Sequence, residues 1–265
     1  MKIFISIFIP FLFLVTQCAS TNNSIPEWVK SMKTVHAKFK GEEGLVAQFG
    51  DSMTYSMAFW SPMSRSDPSE YLMANDGLPL RPEGKRWSDV IFGATNKGPE
   101  YGNFSGWTSG QVRSEVEEIV STQKPEIAII MVGSNDIRDG SVPADYRSNL
   151  EAIVDTCLAA HCIPIINTIP PFRGRETAVD EVNQIIRETA DLKKIPLVDY
   201  HGACLKYRPG KSWDGTLISE DGVHPTAGVA HDYSEENLKN SGYALRNWIN
   251  FLVYREIYFR VLSRD

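Results

Sequence analysis

Ser52 stands at the end of an apolar run, a position at which a hydroxyl group can take part in chemistry. The run covers residues 45–49 and is followed by Gly50-Asp51-Ser52. Such a run, ended by glycine and polar residues, is typical of a buried parallel strand at the point where it leaves its sheet. Ligands of open α/β sheets bind outside the carboxyl ends of the strands, so we expect the Ser52 hydroxyl to face that crevice. In the simpler interpretation, Asp51 and Ser52 only cap the following helix.

A serine nucleophile needs a base that accepts its proton and a carboxylate that orients the base. The sequence Asp221-Gly222-Val223-His224 offers both groups three residues apart. Within a loop, this spacing lets the Asp221 carboxylate reach one ring nitrogen of His224 and leaves the other nitrogen free to face Ser52. His224 differs from the other histidines by this aspartate and by the proline that follows it. The sequence therefore predicts a catalytic set of Ser52, His224 and Asp221.

Acyl transfer also needs N–H donors for the negative oxygen that forms during the reaction. The backbone amides of Ser52 and Gly106 and the side-chain amide of Asn135 are the candidates. Each residue lies at or near the carboxyl end of a predicted strand, which places all three at one edge of the sheet. Taken singly, Gly106 is equally well explained as a turn glycine, and Asn135 as a turn or helix-cap residue.

The four blocks together resemble the SGNH (GDSL-type) hydrolase superfamily, whose blocks are named for serine, glycine, asparagine and histidine. In chain order they are Gly50-Asp51-Ser52, Ser105-Gly106-Trp107-Thr108, Gly133-Ser134-Asn135-Asp136 and Asp221-Gly222-Val223-His224. The resemblance covers nearly the whole chain from Leu45 to the last helix. It implies a nucleophilic Ser52, a basic His224 and an orienting Asp221. It also implies an oxyanion hole of Ser52, Gly106 and Asn135, and a reaction that uses no metal or organic cofactor.

The resemblance further implies a three-layer α/β/α sandwich with a mostly parallel, flavodoxin-like sheet. The residues themselves favour the α/β class, because apolar runs of strand length alternate with amphipathic helices. The runs cover residues 45–49, 127–132, 163–169 and 195–199, with a weaker one at 90–92. The first helix is predicted from Pro26 to about Phe39, and Ser241 is predicted to cap the last helix. No linker or composition break divides residues 21–265, which are predicted to form one domain.

Two segments depart from the family pattern. Tyr101 and Asn103 stand where the second block usually has an asparagine and a glycine. The sequence therefore predicts Gly106 as a donor without predicting the detailed shape of its loop. The segment between Ala227 and Ser241 is longer than a minimal member needs and is interpreted as an added element of the cleft.

The chain begins like an exported protein. Lys2, an apolar run at residues 3–15 and the small-residue site Cys18-Ala19-Ser20 predict a signal peptide over residues 1–20. The run is too short for a comfortable membrane span, so no stable span is expected after its removal. A lipid anchor at Cys18 is the less favoured alternative, because Gln17 is bulkier than such sites usually accept. A net charge of −6 argues against nucleic acid as a partner, since that would call for a basic face.

Cys157, Cys162 and Cys204 are an odd number of cysteines for an exported domain, so at most one pair can form within it. Cys157 and Cys162 flank a predicted turn and could close a small loop, or all three could be buried thiols. Their spacing matches no zinc pattern, and no metal site is predicted. The sequence does not determine the oligomeric state.

Substrate recognition is predicted at three further residues. Trp107 and Trp213 could stack on sugar rings, and Arg173 could meet an acidic group, although core packing and solvent exposure explain them at least as well. Together with export, this predicts a secreted serine esterase that removes small acyl groups, foremost acetyl, from carbohydrate. The alternatives are a lipid or lysophospholipid esterase and a non-catalytic carbohydrate-binding protein that keeps the fold.

Overall fold

Four parallel strands form the sheet of the computed structural model, which describes residues 25–73 and 76–262. In chain order they are β1 (Glu42–Gly50), β2 (Pro125–Met131), β3 (Ile163–Asn167) and β4 (Leu197–Val198). The strands are hydrogen-bonded in this same order, with Ala47 opposite Ala128 in the first pair. β2 and β3 are buried along their whole length, as expected for parallel strands covered on both faces. The predicted signal peptide and Cys18 lie outside the described residues.

Helices occupy most of the connections between the strands. The described part of the chain contains α1 (Glu27–His36), α2 (Ser52–Tyr55), α3 (Ser109–Gln123), α4 (Tyr146–Ala159), α5 (Glu176–Lys193), α6 (Tyr200–Tyr207), α7 (Glu235–Leu238) and α8 (Gly242–Ile257). Short 3₁₀ turns lie at Ser61–Ser64, Pro68–Tyr71, Trp87–Asp89 and Pro99–Tyr101, and a π-helical turn, Tyr258–Leu262, follows α8. Ser241 caps α8 as predicted, because its Oγ accepts from the Ala244 amide at 3.1 Å.

Helices cover both faces of the sheet. α3, α4 and α5 each lie between successive parallel strands, and right-handed crossovers place such helices on one face. On that face α3 contacts α4, and α4 contacts α5. α1, α6 and α8 form the other layer, in which α8 contacts both β4 and α6. The predicted three-layer α/β/α fold is confirmed.

The strand predicted at residues 90–92 is not formed. The chain makes the turn Trp87–Asp89 and then touches β1 through a single parallel bridge at Phe92. The Phe92 amide donates to the Gly44 carbonyl at 2.8 Å, and the Phe92 carbonyl accepts from the Val46 amide at 3.0 Å. Gly93 has φ = +74° and turns the chain away from β1, so the pairing stops there.

α1 and β4 are also shorter than predicted. Pro26 is the N-cap of α1 and not its first residue, and the helix ends at His36 because the chain tightens there into a turn. In that turn the Phe39 amide donates to the His36 carbonyl at 2.8 Å. β4 has two residues where five were predicted, since α6 already begins at Tyr200.

One hydrophobic core joins the two layers. Trp87 lies in it edge-on to Phe251, with ring centroids 5.1 Å apart. Cys157, Cys162 and Cys204 are buried free thiols, which settles the alternatives left open by the sequence in favour of packing.

Within the described ranges, no helix is long and apolar enough to cross a membrane.

Candidate active site

A tight turn at the carboxyl end of β1 carries Ser52. Ser52 is the first residue of α2, and Asp51 caps this helix by accepting from the Met53 amide at 3.0 Å. Gly50 is required because a Cβ at this position would lie 2.2 Å from the Met131 carbonyl oxygen. The turn therefore passes close over the end of β2 and leaves the Ser52 side chain partly exposed at the edge of the sheet.

The loop after α6 brings His224 to Ser52. The Ser52 Oγ and His224 Nε2 atoms lie 2.8 Å apart, and His224 Nδ1 lies 2.6 Å from Asp221 Oδ2. The three side chains thus form one hydrogen-bonded chain from hydroxyl to carboxylate. This is the contact that the D-x-x-H spacing predicts.

The backbone of the same loop holds the Asp221 carboxylate. Its Oδ1 accepts from the amides of Val223 at 2.9 Å and His224 at 3.0 Å, and from Ser219 Oγ at 2.7 Å. Burial acts to raise the pKa of Asp221, but these hydrogen bonds outweigh it and hold the pKa well below its usual range. Asp221 is therefore ionised at neutral pH and can accept a proton-bearing Nδ1 of His224.

Arg173 fastens this loop to the segment that follows β3. Its Nε and Nη2 donate to the two carboxylate oxygens of Asp214, and its Nη1 donates to the Glu220 carbonyl at 3.0 Å. Its backbone amide donates to the Gly222 carbonyl at 2.8 Å. Each nitrogen of the Arg173 guanidinium thus makes one contact within the protein, and the predicted substrate contact stays a prediction. Arg173 clamps the loop that carries His224.

Asn135 lies beside the Ser52 turn. Its Nδ2 donates to the Trp107 carbonyl at 3.0 Å and lies 3.5 Å from Asp51 Oδ2. The neighbouring Asp136 accepts from the Ser109 amide and hydroxyl, so it caps α3. These contacts hold the asparagine-containing loop against the glycine-containing loop, and both against the serine turn.

Gly106 borders open space. Its φ is +85°, and a Cβ there would meet no atom within 4 Å. Asn103, which departs from the family pattern, anchors this loop from inside: its Nδ2 donates to the Gln48 carbonyl at 2.9 Å, and its Oδ1 accepts from the Gly98 amide at 3.2 Å. Within residues 25–73 and 76–262, no acceptor contacts the amides of Ser52 or Gly106. Both amides are free to donate to a substrate oxygen.

The Asp51 carboxylate is buried behind the turn. Burial raises its pKa to about 6, against the opposing effects of the Met53 amide and of the charges on Arg246 and His224.

Among the residues that the structure describes, no group of three or more His, Cys, Asp or Glu side chains could hold a metal ion.

Arg246 and Lys97 contact the Ser52 turn, and neither was recognised from the sequence. Arg246 on α8 is fully buried and donates to the Met53 carbonyl at 2.8 Å. Lys97 Nζ donates to the Thr54 carbonyl at 2.6 Å. The available signal was a charged residue at position 246 on a helix that is otherwise mostly apolar and aromatic.

Asn247 joins the two segments that flank the site, residues 56–64 and 227–233. Its Oδ1 accepts from the Trp60 amide at 2.8 Å. Its Nδ2 donates to the carbonyls of Ala58 at 2.8 Å and Ala230 at 3.0 Å. The segment that the sequence suggests as an added cleft element is thus fastened to α8 and to the segment after Ser52.

Trp107 belongs to a group of aromatic rings next to the Ser52 turn, Tyr55, Phe104 and Trp107, which we name the aromatic ledge. The Tyr55 and Phe104 centroids lie 5.4 Å apart, and those of Phe104 and Trp107 lie 6.3 Å apart. Tyr55 is 38% exposed and Phe104 is 39% exposed. Trp213 is only 3% exposed and packs in the core, so the predicted sugar platform at Trp213 is wrong.

Residues 49–228 match the model of the GDSL-like lipase/acylhydrolase family. The matched segment contains all four sequence blocks, from the Ser52 turn to the loop of His224. The comparison with curated proteins finds no match.

Several solved structures share the fold. A protein of the G-D-S-L family from Desulfitobacterium hafniense DCB-2 has a TM-score of 0.54 and 20% identity, over 79% of this chain and 99% of that chain. The lipase/acylhydrolase from Enterococcus faecalis has a TM-score of 0.52 and 21% identity, over 78% and 96%. The family 3 carbohydrate esterase from Clostridium thermocellum has a TM-score of 0.52 and 16% identity, over 84% and 100%.

Proposed function

The chain belongs to the GDSL-like lipase/acylhydrolase family and is a hydrolase of ester bonds, and we propose that Ser52 is its nucleophile. The observation that carries the proposal is the unbroken hydrogen-bond chain from Ser52 through His224 to Asp221, with distances of 2.8 and 2.6 Å. A hydroxyl, an imidazole and an ionised carboxylate in this order are the groups that acyl transfer through serine requires.

In the first step, His224 Nε2 takes the hydroxyl proton of Ser52 while Oγ bonds to the ester carbonyl carbon. The carbonyl oxygen becomes negative and accepts hydrogen bonds from the amides of Ser52 and Gly106 and from Asn135 Nδ2. Asp221 stabilises the positive imidazole that results. His224 then gives its proton to the alkoxy oxygen, the bond from that oxygen to carbon breaks, and the alcohol leaves an acyl group on Ser52.

In the second step, a water molecule takes the place of the alcohol. His224 accepts one proton from the water as its oxygen bonds to the acyl carbon, and the same N–H donors hold the negative oxygen. The bond between the acyl carbon and Ser52 Oγ then breaks, and the proton on His224 returns to Oγ. The products are a carboxylic acid and the original enzyme.

The substrate class that we propose is a small acyl ester, foremost an acetyl ester, on a carbohydrate. The aromatic ledge supports this choice because exposed rings beside the nucleophile can pack against the apolar faces of sugar rings. The relative from Clostridium thermocellum is itself a carbohydrate esterase. A lipid or lysophospholipid ester is the second candidate, and the lipase/acylhydrolase from Enterococcus faecalis supports it.

Hydrolysis of p-nitrophenyl acetate by wild-type protein and by Ser52→Ala tests the nucleophile. The variant should lose activity by about 10⁴-fold or more. Equal rates at the background level for both proteins would refute the proposal and favour a binding protein that keeps the fold.

A panel of esters tests the substrate class. Acetylated xylo-oligosaccharides should exceed medium-chain acyl esters in kcat/KM, and the reverse preference would assign the enzyme to lipid esters instead.

We also propose that the protein is exported and that residues 1–20 are removed. The pattern of Lys2, the apolar run at residues 3–15 and Cys18-Ala19-Ser20 supports this. Sequencing the N-terminus of protein from the cell exterior or periplasm should find a start after Ser20. A start at a lipid-modified Cys18 would support the anchor instead, and full-length protein confined to the cytoplasm would contradict export.

A further inference from the structure

The buried guanidinium of Arg246, on the last helix α8, contacts the back of the Ser52 turn. Arg246 Nη1 donates to the Met53 carbonyl at 2.8 Å, and its Nη2 donates to Thr54 Oγ1 at 3.1 Å. Met53 and Thr54 directly follow Ser52, so the guanidinium is bonded to the two residues that set the backbone of α2. Burial lowers the pKa of Arg246 to about 10, which leaves the group charged at neutral pH.

Phe59 packs against the Arg246 guanidinium, and Lys97 donates further hydrogen bonds to the same turn. Arg246 Cζ lies 3.5 Å from the centroid of the Phe59 ring. Lys97 Nζ donates to the Thr54 carbonyl at 2.6 Å and to the Phe59 carbonyl at 3.1 Å. A helix as short as α2 leaves the Met53 and Thr54 carbonyls without partners in the helix, and Arg246 and Lys97 supply the missing donors.

The charge of Arg246 also acts on Asp51. Burial raises the pKa of Asp51, and the Met53 amide and the Arg246 charge oppose this rise. The other titratable groups that face Asp51 are His224, Asp136, Tyr146 and Tyr243. Because Asp51 both caps α2 and lies next to Asn135, a change at Arg246 reaches the nucleophile and an oxyanion donor together.

We propose that Arg246 is a positioning residue for the reaction. It fixes α2 so that Ser52 Oγ stays within reach of His224 Nε2, and its positive charge favours the negative oxygen that forms during acyl transfer. This inference rests on the proposed role of Ser52 as the nucleophile.

The same helix offers a matched control, Arg255. This arginine is 1% exposed, and it donates to the Asp76 carboxylate and to the Leu78 carbonyl, away from the Ser52 turn. Both arginines are buried on α8 and hydrogen-bonded to distant segments, so removing either should lower Tm. Only Arg246 contacts residues that adjoin the nucleophile.

The experiment compares Arg246→Met with Arg255→Met, at a temperature at which circular dichroism finds both variants folded. Arg246→Met should lower kcat for p-nitrophenyl acetate by about 10-fold or more with KM within about twofold, because a small misplacement of reacting groups is costly. Arg255→Met should keep kcat within about twofold. Arg246→Lys should recover part of kcat, since it keeps the charge and a donor. The acid limb of the kcat profile of Arg246→Met should move to higher pH, because Asp51, which caps α2, loses a positive neighbour and its pKa rises.

Equal kcat losses in the two methionine variants, or an unchanged kcat in Arg246→Met, would overturn the proposal. If Arg246→Met does not fold, Arg246→Lys decides: a reduced kcat supports the proposal, and a wild-type kcat refutes it. Ser52→Ala separates this inference from the one it rests on. An active Ser52→Ala would remove the nucleophile assignment, whereas an inactive Ser52→Ala with an unaffected Arg246→Met would remove only the role of Arg246.

Discussion

Ser52 and His224 are 172 residues apart in the sequence, and their Oγ and Nε2 atoms lie 2.8 Å apart. The sheet positions Ser52, because β1 ends at the edge where the carboxyl ends of the parallel strands lie together. The contacts of Arg173 position His224, because they fasten its loop to the segment after β3 at that same edge. The site is thus built on rigid elements and closed by one loop.

Asp221→Asn should lower kcat by about 10³–10⁴-fold while the protein stays folded. An amide in place of the carboxylate can present an N–H to His224 Nδ1, which favours the wrong tautomer and no longer stabilises the charged ring. Steady-state kinetics on p-nitrophenyl acetate measures the loss. Ser219→Ala is the control, because it removes one hydrogen bond to Asp221 at 2.7 Å and leaves the carboxylate in place. A similar loss in both variants would mean that loop shape, and not the charge, is what matters.

Asn135→Ala should lower kcat by about 10²–10³-fold with little change in KM, because the lost N–H group acts on the negative oxygen of the transition state. Asn183→Ala provides a comparison: Asn183 is fully buried and its side chain bonds to the backbone of Ile169. That variant should lose stability and keep its kcat. A raised KM at constant kcat in Asn135→Ala would instead make Asn135 a ground-state contact.

Asp51→Asn should gain stability relative to wild type as the pH rises. Burial raises the pKa of Asp51 to about 6, above its ordinary value of 3.8. The folded state thus binds this proton more tightly, so the contribution of Asp51 to the free energy of unfolding is present at acid pH and lost as the pH rises through about 6. The difference between variant and wild type should therefore grow by on the order of 2–3 kcal/mol from pH 4 to pH 8.

Urea unfolding at both pH values measures this difference. Asp139→Asn is the control, because hydrogen bonds from the Ser141 amide and hydroxyl lower the pKa of the exposed Asp139. It should show the opposite trend. A pH-independent difference for Asp51→Asn would mean that Asp51 has an ordinary pKa in the folded protein.

Trp107→Ala should raise KM for acetylated xylo-oligosaccharides by about tenfold, and KM for p-nitrophenyl acetate by much less, if its ring holds the sugar. Phe92→Ala is matched as the loss of an exposed ring, since Phe92 is 51% exposed and pairs with the far part of β1. Its kinetics should equal those of wild type. Equal effects of Trp107→Ala on both substrates would indicate that the ring supports the Gly106 loop and not the sugar.

Local patterns predicted the parts of the molecule that depend on few neighbours. The end of an apolar run located Ser52, the D-x-x-H spacing located its partners, and alternating runs gave the α/β fold, which the structure confirms. The catalytic roles assigned to these residues stay predictions for the kinetic experiments. The departure at Asn103 left the loop of Gly106 undefined, and the structure shows this side chain buried within it.

Contacts between distant segments could not be predicted from local sequence patterns. Trp213 was expected at the surface, but it is buried because the loop around it folds back onto the core. The ion pair of Arg173 was not predicted, because the carboxylate that pairs with it, Asp214, lies 41 residues further along the chain. No sequence motif marks Arg246, because its contacts form only when α8 packs against the Ser52 turn.

The partner of the Met53 carbonyl lies 193 residues further along the chain, on α8. During synthesis on the ribosome, the serine turn therefore emerges long before the helix that braces it. A nascent chain, or a fragment cut off ahead of residue 242, would carry Ser52 on an unsupported turn. Synthesis of α8 is therefore expected to precede efficient ester hydrolysis, and a chain that ends ahead of residue 242 should hydrolyse p-nitrophenyl acetate more slowly than the full chain.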